Sequence, residues 1–351
     1  MGSHLKRKYI AIESFCGAGG MSLGLLDAGF DIKLAFDLNQ YAVDTYNGGV
    51  SPHAIQADAS ILSVEEIMSR TGIDIGELDL FSGGPPCQGF SKQRKGAHLW
   101  DDPRNSLVGD YIRFVSGLQP KAFMLENVAI FGQKRGAPHL EDLRNTLKDY
   151  NLFPHFYNAA DFGLAQTRER FIMVGIRKDV SSNFEPPQPT HKKWVTVGEV
   201  IGDLPEPPND YSVHKEYFNH QKAKITSLNE QRFSFVPQGG GWQDIPYELR
   251  LPCHQKADVT SGGWPDVYGR LDVDGQCPTI TGGFDSFTRG RYGHPIYNRA
   301  LTPREAARLQ GFPDHLEFKG NRQEVRYQIG NAVPPPVAKA IAEAIIDCFE
   351  K

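Results

Sequence analysis

The loop at residues 82–91 holds a cysteine, Cys87, in a setting that suits nucleophilic chemistry. Residues 78–81 read as a buried strand, so this loop should lie at the carboxyl edge of a sheet, where open α/β folds bind ligands. Pro85 and Pro86 stiffen the chain before the thiol, and the neighbouring glycines let a substrate approach closely. A structural cysteine would instead be expected inside an apolar run. The pattern therefore favours a nucleophile over an inert turn cysteine.

A cysteine nucleophile needs partners that bind its substrate, and two later motifs offer them. Glu126 ends a strand predicted over 121–125, and a glutamate held neutral at that edge could donate to a ring nitrogen. Arg168 and Arg170 stand two apart, on one face if the chain is extended. Two positive charges there suit a thiolate, a carbonyl oxygen or a phosphate. Taken singly, each of these residues is more often a salt-bridged structural residue.

A glycine-rich turn at 15–20 follows a strand predicted over 9–14 and precedes a helix predicted over about 21–28. Such a turn frees helix N–H groups for a ligand. Asp37, at the end of the next strand, has the position of a ribose-binding acid, and Asp58 is a candidate for the adenine amino group. A tight turn with a capping acid is the structural alternative, and an NAD-dependent dehydrogenase is a functional rival. The spacing Gly17-x-Gly19-Gly20 departs from GxGxxG, which weakens NAD and leaves an adenosyl ligand open.

Short apolar runs alternate with helical patterns through the first half of the chain, which predicts a mostly parallel α/β sheet. Further strands are expected over 31–36 and 171–176, and a helix should begin in 41–46. After 184–189 the sequence becomes rich in Gly, Pro, Trp and His up to about residue 300, too long for one loop. A separate, smaller domain is expected there. The sequence further predicts a helix opening at 302–305 and an amphipathic helix over 337–349.

The composition is that of an ordinary globular protein, with 351 residues, 40% hydrophobic and 23% charged. The absence of an apolar run of about 18 residues argues against a membrane span, and the lack of a signal peptide after a tag-like start predicts an intracellular protein. Five scattered cysteines without CxxC pairs predict neither disulfides nor a metal site. The net charge of −4 neither supports nor excludes a nucleic-acid partner, because a whole-chain sum can hide a basic face.

Taken together and in chain order, the motifs resemble those of the bacterial, restriction-modification-like DNA (cytosine-5)-methyltransferase family. The resemblance covers almost the whole chain. The matching segments are Phe15-Cys16-Gly17-Ala18-Gly19-Gly20, Gly84-Pro85-Pro86-Cys87-Gln88, Glu126-Asn127-Val128, Gln166-Thr167-Arg168-Glu169-Arg170, Arg304-Glu305-Ala306-Ala307-Arg308-Leu309-Gln310-Gly311-Phe312-Pro313 and Gln328-Ile329-Gly330-Asn331-Ala332-Val333-Pro334.

The resemblance implies a doubly wound, Rossmann-like S-adenosylmethionine-dependent methyltransferase domain with a smaller target-recognition domain. The expected catalytic domain is 6–189 plus 328–351, the recognition domain 190–304 and a hinge region 305–327. Cys87 would attack C6 of a cytosine flipped out of the duplex, while Glu126 contacts N3 and the exocyclic amine. Arg168 would hold the base carbonyl and Arg170 would help to organise Cys87.

The same resemblance assigns the remaining site residues. S-adenosyl-L-methionine, leaving as S-adenosyl-L-homocysteine, would be bound by Phe15, Gly17, Gly19, Gly20, Asp37, Leu38, Asp58, Ala59, Gly84, Pro86, Asn331 and Ala332. Asn331 could alternatively be a helix N-cap. DNA contacts are expected from Gln88, Ser91 and Thr279, and no metal is expected. Arg250 and Arg270 could read guanines, although a phosphate or structural role is favoured for each.

The implied partner is double-stranded DNA, with a cognate restriction endonuclease acting separately. A monomer would suffice, and the expected location is the bacterial cytoplasm, at the nucleoid through DNA. One rival is a tRNA cytosine-5 methyltransferase, but the Cys-Phe-Thr motif of those relatives is absent. The other is an inactive DNA-binding relative, which should have lost Cys87, Glu126 or Arg168.

Overall fold

The computed structural model describes residues 8–86, 106–133, 136–257 and 266–351. Its contacts divide the chain into two compact units. The first unit comprises Met1–Asn158, Glu169–Pro189 and Val333–Lys351, and the second comprises Ala159–Arg168 and Thr190–Ala332. The two are called the first and second unit below.

The first unit is built on a seven-stranded sheet whose order is β3-β2-β1-β4-β5-β8-β6. Neighbouring strands are parallel from β3 to β5, whereas β8 runs antiparallel to both β5 and β6. The strands are β1 (Ile10–Ser14), β2 (Asp31–Asp37), β3 (Ala54–Gln56), β4 (Leu80–Gly83), β5 (Ala122–Val128), β6 (Tyr150–Asn158) and β8 (Glu169–Arg177). The predicted α/β class, with a mostly parallel sheet, is confirmed.

Helices of the first unit follow the strands as the alternating pattern predicts. They are α1 (Gly20–Ala28), α2 (Gln40–Gly49), α3 (Val64–Thr71), α4 (Ser106–Leu118), α5 (Ala137–Thr146) and α11 (Pro335–Glu350). The apolar core includes Phe81 and Phe114, whose rings lie 5.8 Å apart, and Phe123 from β5. Helix α1 crosses α11 so closely that a Cβ on Gly24 would lie 2.4 Å from the carbonyl oxygen of Pro335. The C-terminal segment is thereby fixed to the first unit.

The second unit contains little regular structure. Strands β7 (Gln166–Thr167) and β9 (Cys277–Pro278) pair in parallel. Its helices are α6 (Val197–Ile201), α7 (Ser227–Ser234), α8 (Pro252–Gln255), α9 (Pro303–Leu309) and α10 (Arg322–Asn331). A core of its own includes Phe233, Trp242 and Phe287, with the rings of Phe233 and Phe287 stacked at 4.4 Å.

The division differs from the predicted boundaries at three places. Residues 159–168, 305–327 and 328–332 all belong to the second unit. Arg304 explains part of this, because its buried guanidinium donates to the carbonyls of Phe218, Pro313 and Leu316 within that unit. The segment predicted as a hinge is therefore held by side chain to backbone hydrogen bonds to one unit.

Candidate active site

The glycine turn adopts a left-handed backbone conformation, with positive φ angles, that residues other than glycine rarely adopt. Gly17 and Gly19 have φ values of 52° and 84°, and Phe15 has a φ of 53°. The N–H group of Gly17 donates to Asp37 Oδ2 at 2.9 Å, and that of Asn39 donates to Oδ1 at 2.8 Å. Burial raises the pKa of Asp37, while these backbone donors act in the opposite direction. Asp37 therefore ties the end of β2 to the turn.

Strand order places this turn at a topological switch point. The chain proceeds outward from β1 through β2 to β3, and then returns to the other side of β1 with β4. Open α/β sheets bind ligands beyond the carboxyl ends of the strands at such a point. Ser14 and Gly83 are paired in the register of β1 and β4, so the glycine turn and Gly84 follow at the same edge. Gly20 begins α1, and its cap Gly19 provides no side-chain hydrogen bond.

The predicted adenine-side residues follow β2 and β3. Leu38 is 65% exposed, so its side chain is free to cover a ligand ring. Asp58 accepts from the N–H and hydroxyl of Ser60 at 2.9 and 2.7 Å, and these bonds lower the pKa of Asp58. The carbonyl of the buried Ala59 accepts from Arg113 at 2.6 Å. The positive-φ glycines, the helix N-terminus and the exposed leucine fit an adenosyl ligand.

Glu126 and Arg170 form an ion pair at the carboxyl end of β5. Arg170 Nε lies 3.1 Å from Glu126 Oε1, and both side chains are at most 15% exposed. Val128 pairs with Arg170 in the register of β5 and β8, so Glu126 is a diagonal neighbour within reach of a long side chain. Burial lowers the pKa of Arg170, and the charge of Glu126 opposes this shift.

The loop that leads to Cys87 lies against this ion pair. A Cβ on Gly84 would lie 3.1 Å from Glu126 Oε2, so the backbone of Gly84 passes beside the carboxyl group. The side-chain amide of Asn127 donates to the carbonyl of Pro85 at 3.1 Å and is buried. Pro86 is partly buried and is the last described residue before the gap. The structure thus brings Glu126, Arg170 and Gly84 together.

Cys87, Gln88 and Ser91 lie outside the described residues. Their predicted roles therefore stay predictions from the sequence. The four other cysteines are free, and burial raises the pKa of Cys16 and of Cys277. A raised pKa makes these two thiols poor nucleophiles at neutral pH.

Arg168 is buried in the second unit, where its guanidinium binds backbone carbonyls. Its NH1 group donates to Ile280 at 2.9 Å, and NH2 donates to Gly330 and Ala332 at 3.0 Å each. The side chain is only 2% exposed. These contacts join the end of α10 to the loop after β9, so Arg168 fixes the positions of these two backbone segments within the second unit.

Two glutamines complete this junction. Gln166 donates to Gln310 Oε1 at 2.6 Å and to the carbonyl of Leu309 at 3.1 Å. Its own side-chain oxygen accepts from the N–H group of Ile280 at 2.8 Å. Gln310 in turn donates to the carbonyl of Ile329 at 2.7 Å. The two motifs that contain these glutamines are thus joined by side-chain hydrogen bonds inside one unit.

The remaining predicted residues of the second unit have mixed settings. Thr279 donates its hydroxyl to the carbonyl of Thr167 at 3.0 Å, so that proton is already used. Asn331 is exposed and Ala332 partly buried at the C-terminal end of α10. The N-cap of the next helix, α11, is Pro334, so the alternative that Asn331 is a helix N-cap is wrong. The side chain of Arg270 donates to four carbonyls and to Asn298, and Arg250 donates to the carbonyls of Gln243 and Ile245. Both arginines have structural contacts.

Sequence reasoning missed several residues of this region. Asn127, Gln166 and Gln310 lay inside the quoted motifs, but nothing in their spacing indicated which backbone group each would bind. Glu13 was missed altogether, although an acid inside the apolar strand 9–14 is a visible signal, since buried carboxyl groups need a partner. Its contacts are described below.

The sheet order and the glycine turn define a Rossmann-like, S-adenosylmethionine-dependent methyltransferase fold. The profile of the C-5 cytosine-specific DNA methylase family matches residues 9–347. The Type II methyltransferase M1.HphI of Haemophilus parahaemolyticus is 37% identical over 342 residues, which are 95% of this chain and 86% of that protein. The Type II methyltransferase M.BbvI of Brevibacillus brevis is 34% identical, over 97% of this chain and 91% of that protein.

Solved structures agree with this result. A prophage-encoded E. coli protein, solved as a proposed DNA modification methyltransferase, gives a TM-score of 0.72 at 29% identity and covers 98% of this chain and 100% of that one. The S. pombe Dnmt2 methyltransferase gives a TM-score of 0.60 at 17% identity, over 97% of this chain and 99% of that one, and shares the fold. The chain therefore belongs to the C-5 cytosine-specific DNA methylase family, whose members use S-adenosylmethionine. None of the helices in the described part of the chain combines the length and the hydropathy that a membrane span requires.

Proposed function

We propose that this protein is a DNA (cytosine-5)-methyltransferase that methylates one cytosine within a specific double-stranded DNA sequence. The observation that supports this assignment best is the largely buried ion pair of Glu126 and Arg170, which lies beside the backbone of Gly84 in the segment that leads to Cys87. A carboxyl group and a guanidinium side by side offer complementary hydrogen bonds to the edge of a cytosine ring. The names of the Type II relatives support a restriction-modification setting for this activity.

The proposed reaction begins when the target base leaves the stack, which costs a few kcal/mol. The thiolate of Cys87 adds to C6 of the ring and shifts electron density to C5. Glu126, hydrogen-bonded at N3 and the exocyclic amine, makes C6 more electrophilic. S-adenosylmethionine supplies the methyl group as an electrophile. Loss of the C5 proton to a base and elimination of Cys87 then give 5-methylcytosine.

The contacts favour exchanging the roles that the resemblance assigned to the two arginines. Arg170 stands beside Glu126 and is proposed to hold the base carbonyl. The described hydrogen bonds of Arg168 go to three carbonyls, so it is proposed to shape the backbone near Thr279 and Asn331 instead.

The cofactor is proposed to bind along the glycine turn, with Phe15, Gly17, Gly19 and Gly20 contributing backbone. Asp37 and Leu38 would bind the ribose and cover the adenine, and Asp58 and Ala59 would bind the adenine edge. Gly84 and Pro86 are proposed to line the same pocket, and the cofactor roles of Asn331 and Ala332 stay predictions from the resemblance.

The second unit is proposed to recognise the target sequence, chiefly through residues 190–304, with Thr279 near the phosphates of the flipped base. Gln88 and Ser91 would contact DNA from the catalytic loop. We further propose that a separate restriction endonuclease shares the recognition sequence, that the enzyme acts as a monomer, and that it works in the cytoplasm on nucleoid DNA.

A covalent trap tests the proposal. Duplex DNA containing 5-fluorocytosine at the target should form an adduct with the protein that survives denaturation, because fluorine cannot leave as a proton does. Bisulfite sequencing of DNA from expressing cells first identifies the target. The Cys87→Ser variant is the matched control and should form no adduct. A Ser variant that still methylates would refute the mechanism.

The two rivals give different results in the same assays. Methyl transfer to bulk tRNA but not to duplex DNA would establish an RNA substrate. DNA binding without adduct or methyl transfer would establish an inactive DNA-binding relative.

A further inference from the structure

A chain of three buried polar side chains lies beneath the glycine turn of the first unit. Glu13 comes from β1, Ser22 from the first turn of α1 and Tyr46 from α2, and none is more than 2% exposed. The hydroxyl of Ser22 donates to Glu13 Oε2, and the hydroxyl of Tyr46 donates to Ser22 Oγ at 2.7 Å. Nothing in the proposed reaction uses these groups.

These three side chains contact the turn directly through the ring of Tyr46. A Cβ on Gly19 would lie 2.8 Å from Cδ2 of that ring and 2.8 Å from Cγ2 of Val50. The ring therefore fills the space below Gly19, and its hydroxyl fixes the position of the ring. A shift of Tyr46 would alter the support of the turn at its most confined residue.

Glu13 caps the N-terminal turn of α1, where the N-cap residue has no side chain to do so. The N-cap of α1 is Gly19, which offers no side-chain acceptor to the first N–H groups. Glu13 accepts from both the hydroxyl and the backbone N–H of Ser22, so a strand residue caps the first turn of the helix. The start of α1 is thereby tied to β1 behind the turn.

The electrostatic setting makes this cap sensitive to pH. Burial, with a smaller contribution from the nearby Asp37 on β2, raises the pKa of Glu13 to about 8 against the hydrogen bonds from Ser22 on α1, which lower it. The other titratable groups that face it are Cys16 after β1 and Tyr46 on α2, and burial raises the pKa of each. Ionisation of Glu13 therefore adds a buried negative charge beside Asp37.

We propose that Glu13, Ser22 and Tyr46 are positioning residues of the cofactor site, which hold the glycine turn in the shape that binds S-adenosylmethionine. They act through the backbone of Gly19 and of α1 and touch no reacting atom. The proposal rests on the assignment of the glycine turn to the cofactor.

Binding of S-adenosylhomocysteine, measured by titration calorimetry on the full chain, tests this proposal. Glu13→Leu removes the acceptor and should weaken binding at least tenfold, whereas Glu13→Gln keeps an acceptor oxygen and should stay within threefold. Tyr46→Phe should weaken binding about threefold. Tyr150→Phe is the matched control for Tyr46→Phe. It also removes a buried hydroxyl hydrogen bond, from Tyr150 to the carbonyl of Pro120, but at a position away from the turn. It should bind as the unaltered protein does.

The pH profile separates positioning from mere stabilisation. Because ionisation of Glu13 around pH 8 places a second buried negative charge beside Asp37, affinity of the unaltered protein should fall more steeply between pH 7.5 and 9 than affinity of Glu13→Gln. A Glu13→Leu variant that melts earlier but binds with unchanged affinity would overturn the proposal, and so would identical pH profiles. Leu38→Ala, at an exposed position, checks the underlying assignment. If it binds normally, the cofactor site is misplaced and the proposal fails with it; if only Glu13→Leu binds normally, the positioning network alone is refuted.

Discussion

Lysine substitutions at Arg168 and Arg170 distinguish the two tasks that are proposed for these sequence neighbours. Lysine preserves the positive charge but replaces the planar fork of donors by one ammonium group. At position 168 the fork spans three carbonyls, those of Ile280, Gly330 and Ala332. At position 170 the charge lies beside Glu126, where an ammonium group can still pair.

The expected magnitudes follow from these contacts. An ammonium group placed at one carbonyl leaves the other two bonds of Arg168 unmade, at about 1.5 kcal/mol each for charged donors. A loss of about 3 kcal/mol lowers the melting temperature of a unit of this size by about 6–12 °C. Arg170→Lys retains the ion pair and should lower it by less than about 3 °C. Loss of a positioned donor to the developing charge should reduce kcat about 100-fold.

Differential scanning fluorimetry and methyl transfer to the target duplex at 25 °C measure both effects. Arg168→Lys should melt early yet retain kcat within about threefold per folded molecule, since hydrogen bonds to backbone carry its role. Arg170→Lys should melt normally and turn over slowly, with an unchanged KM for S-adenosylmethionine. The reasoning would be refuted by the opposite pattern, a thermally normal Arg168→Lys that has lost turnover. That result would return the base-contact role to Arg168.

Two further predictions follow from single contacts. Asn127→Asp replaces the amide that donates to the carbonyl of Pro85 by an acceptor. This change should slow formation of the 5-fluorocytosine adduct at least tenfold, while S-adenosylhomocysteine binds normally. Unchanged adduct kinetics would show that this hydrogen bond does not position the loop that contains Cys87. Burial, with Arg299 and Arg270, lowers the pKa of His294 to about 4, while Glu305 and Glu206 act in the opposite direction. The neutral His294 therefore contributes to the free energy of unfolding above pH 6.5, and this contribution is lost as the pH falls toward 4. That contribution is about 3 kcal/mol. Thermal melts from pH 7 to 4 should show this loss, and His294→Asn, which keeps an acceptor for the N–H groups of Ile296 and Tyr297, should flatten the slope, whereas equal slopes would contradict the assignment.

The alternation of strands and helices in the first unit was predictable because both patterns are local. An apolar run followed by glycines marks β1 and its turn, and an amphipathic period marks α11. The direction of β8 was not predictable, since its apolar run reads the same in either direction. Strand β6 was also not predicted, because Pro154 in its middle is atypical of a strand. Proline is tolerated there because β6 is an edge strand.

The candidate site was predictable in its residue types more than in its contacts. Glu126 and the glycines follow strands, so their place at one sheet edge follows from topology alone. The separation of Arg168 from Arg170 could not be foreseen, because β8 begins only at Glu169 and Arg168 belongs to the other unit. A prediction that treats the segment as one extended strand gives both arginines the same environment, whereas hydrogen bonds across more than 100 residues of sequence decide where Arg168 points.

The antiparallel direction of β8 has a functional consequence. A parallel strand brings its last residue to the carboxyl edge of the sheet, but an antiparallel strand brings its first, so Arg170 reaches that edge at the start of β8. The pair proposed to bind the base thus combines the end of one strand with the beginning of its neighbour, and the register of the two strands fixes both positions. Because the sheet already holds Glu126 and Arg170 together, the proposed pairing with a base would require little reorganisation, and more binding energy would remain to offset extrusion of the base.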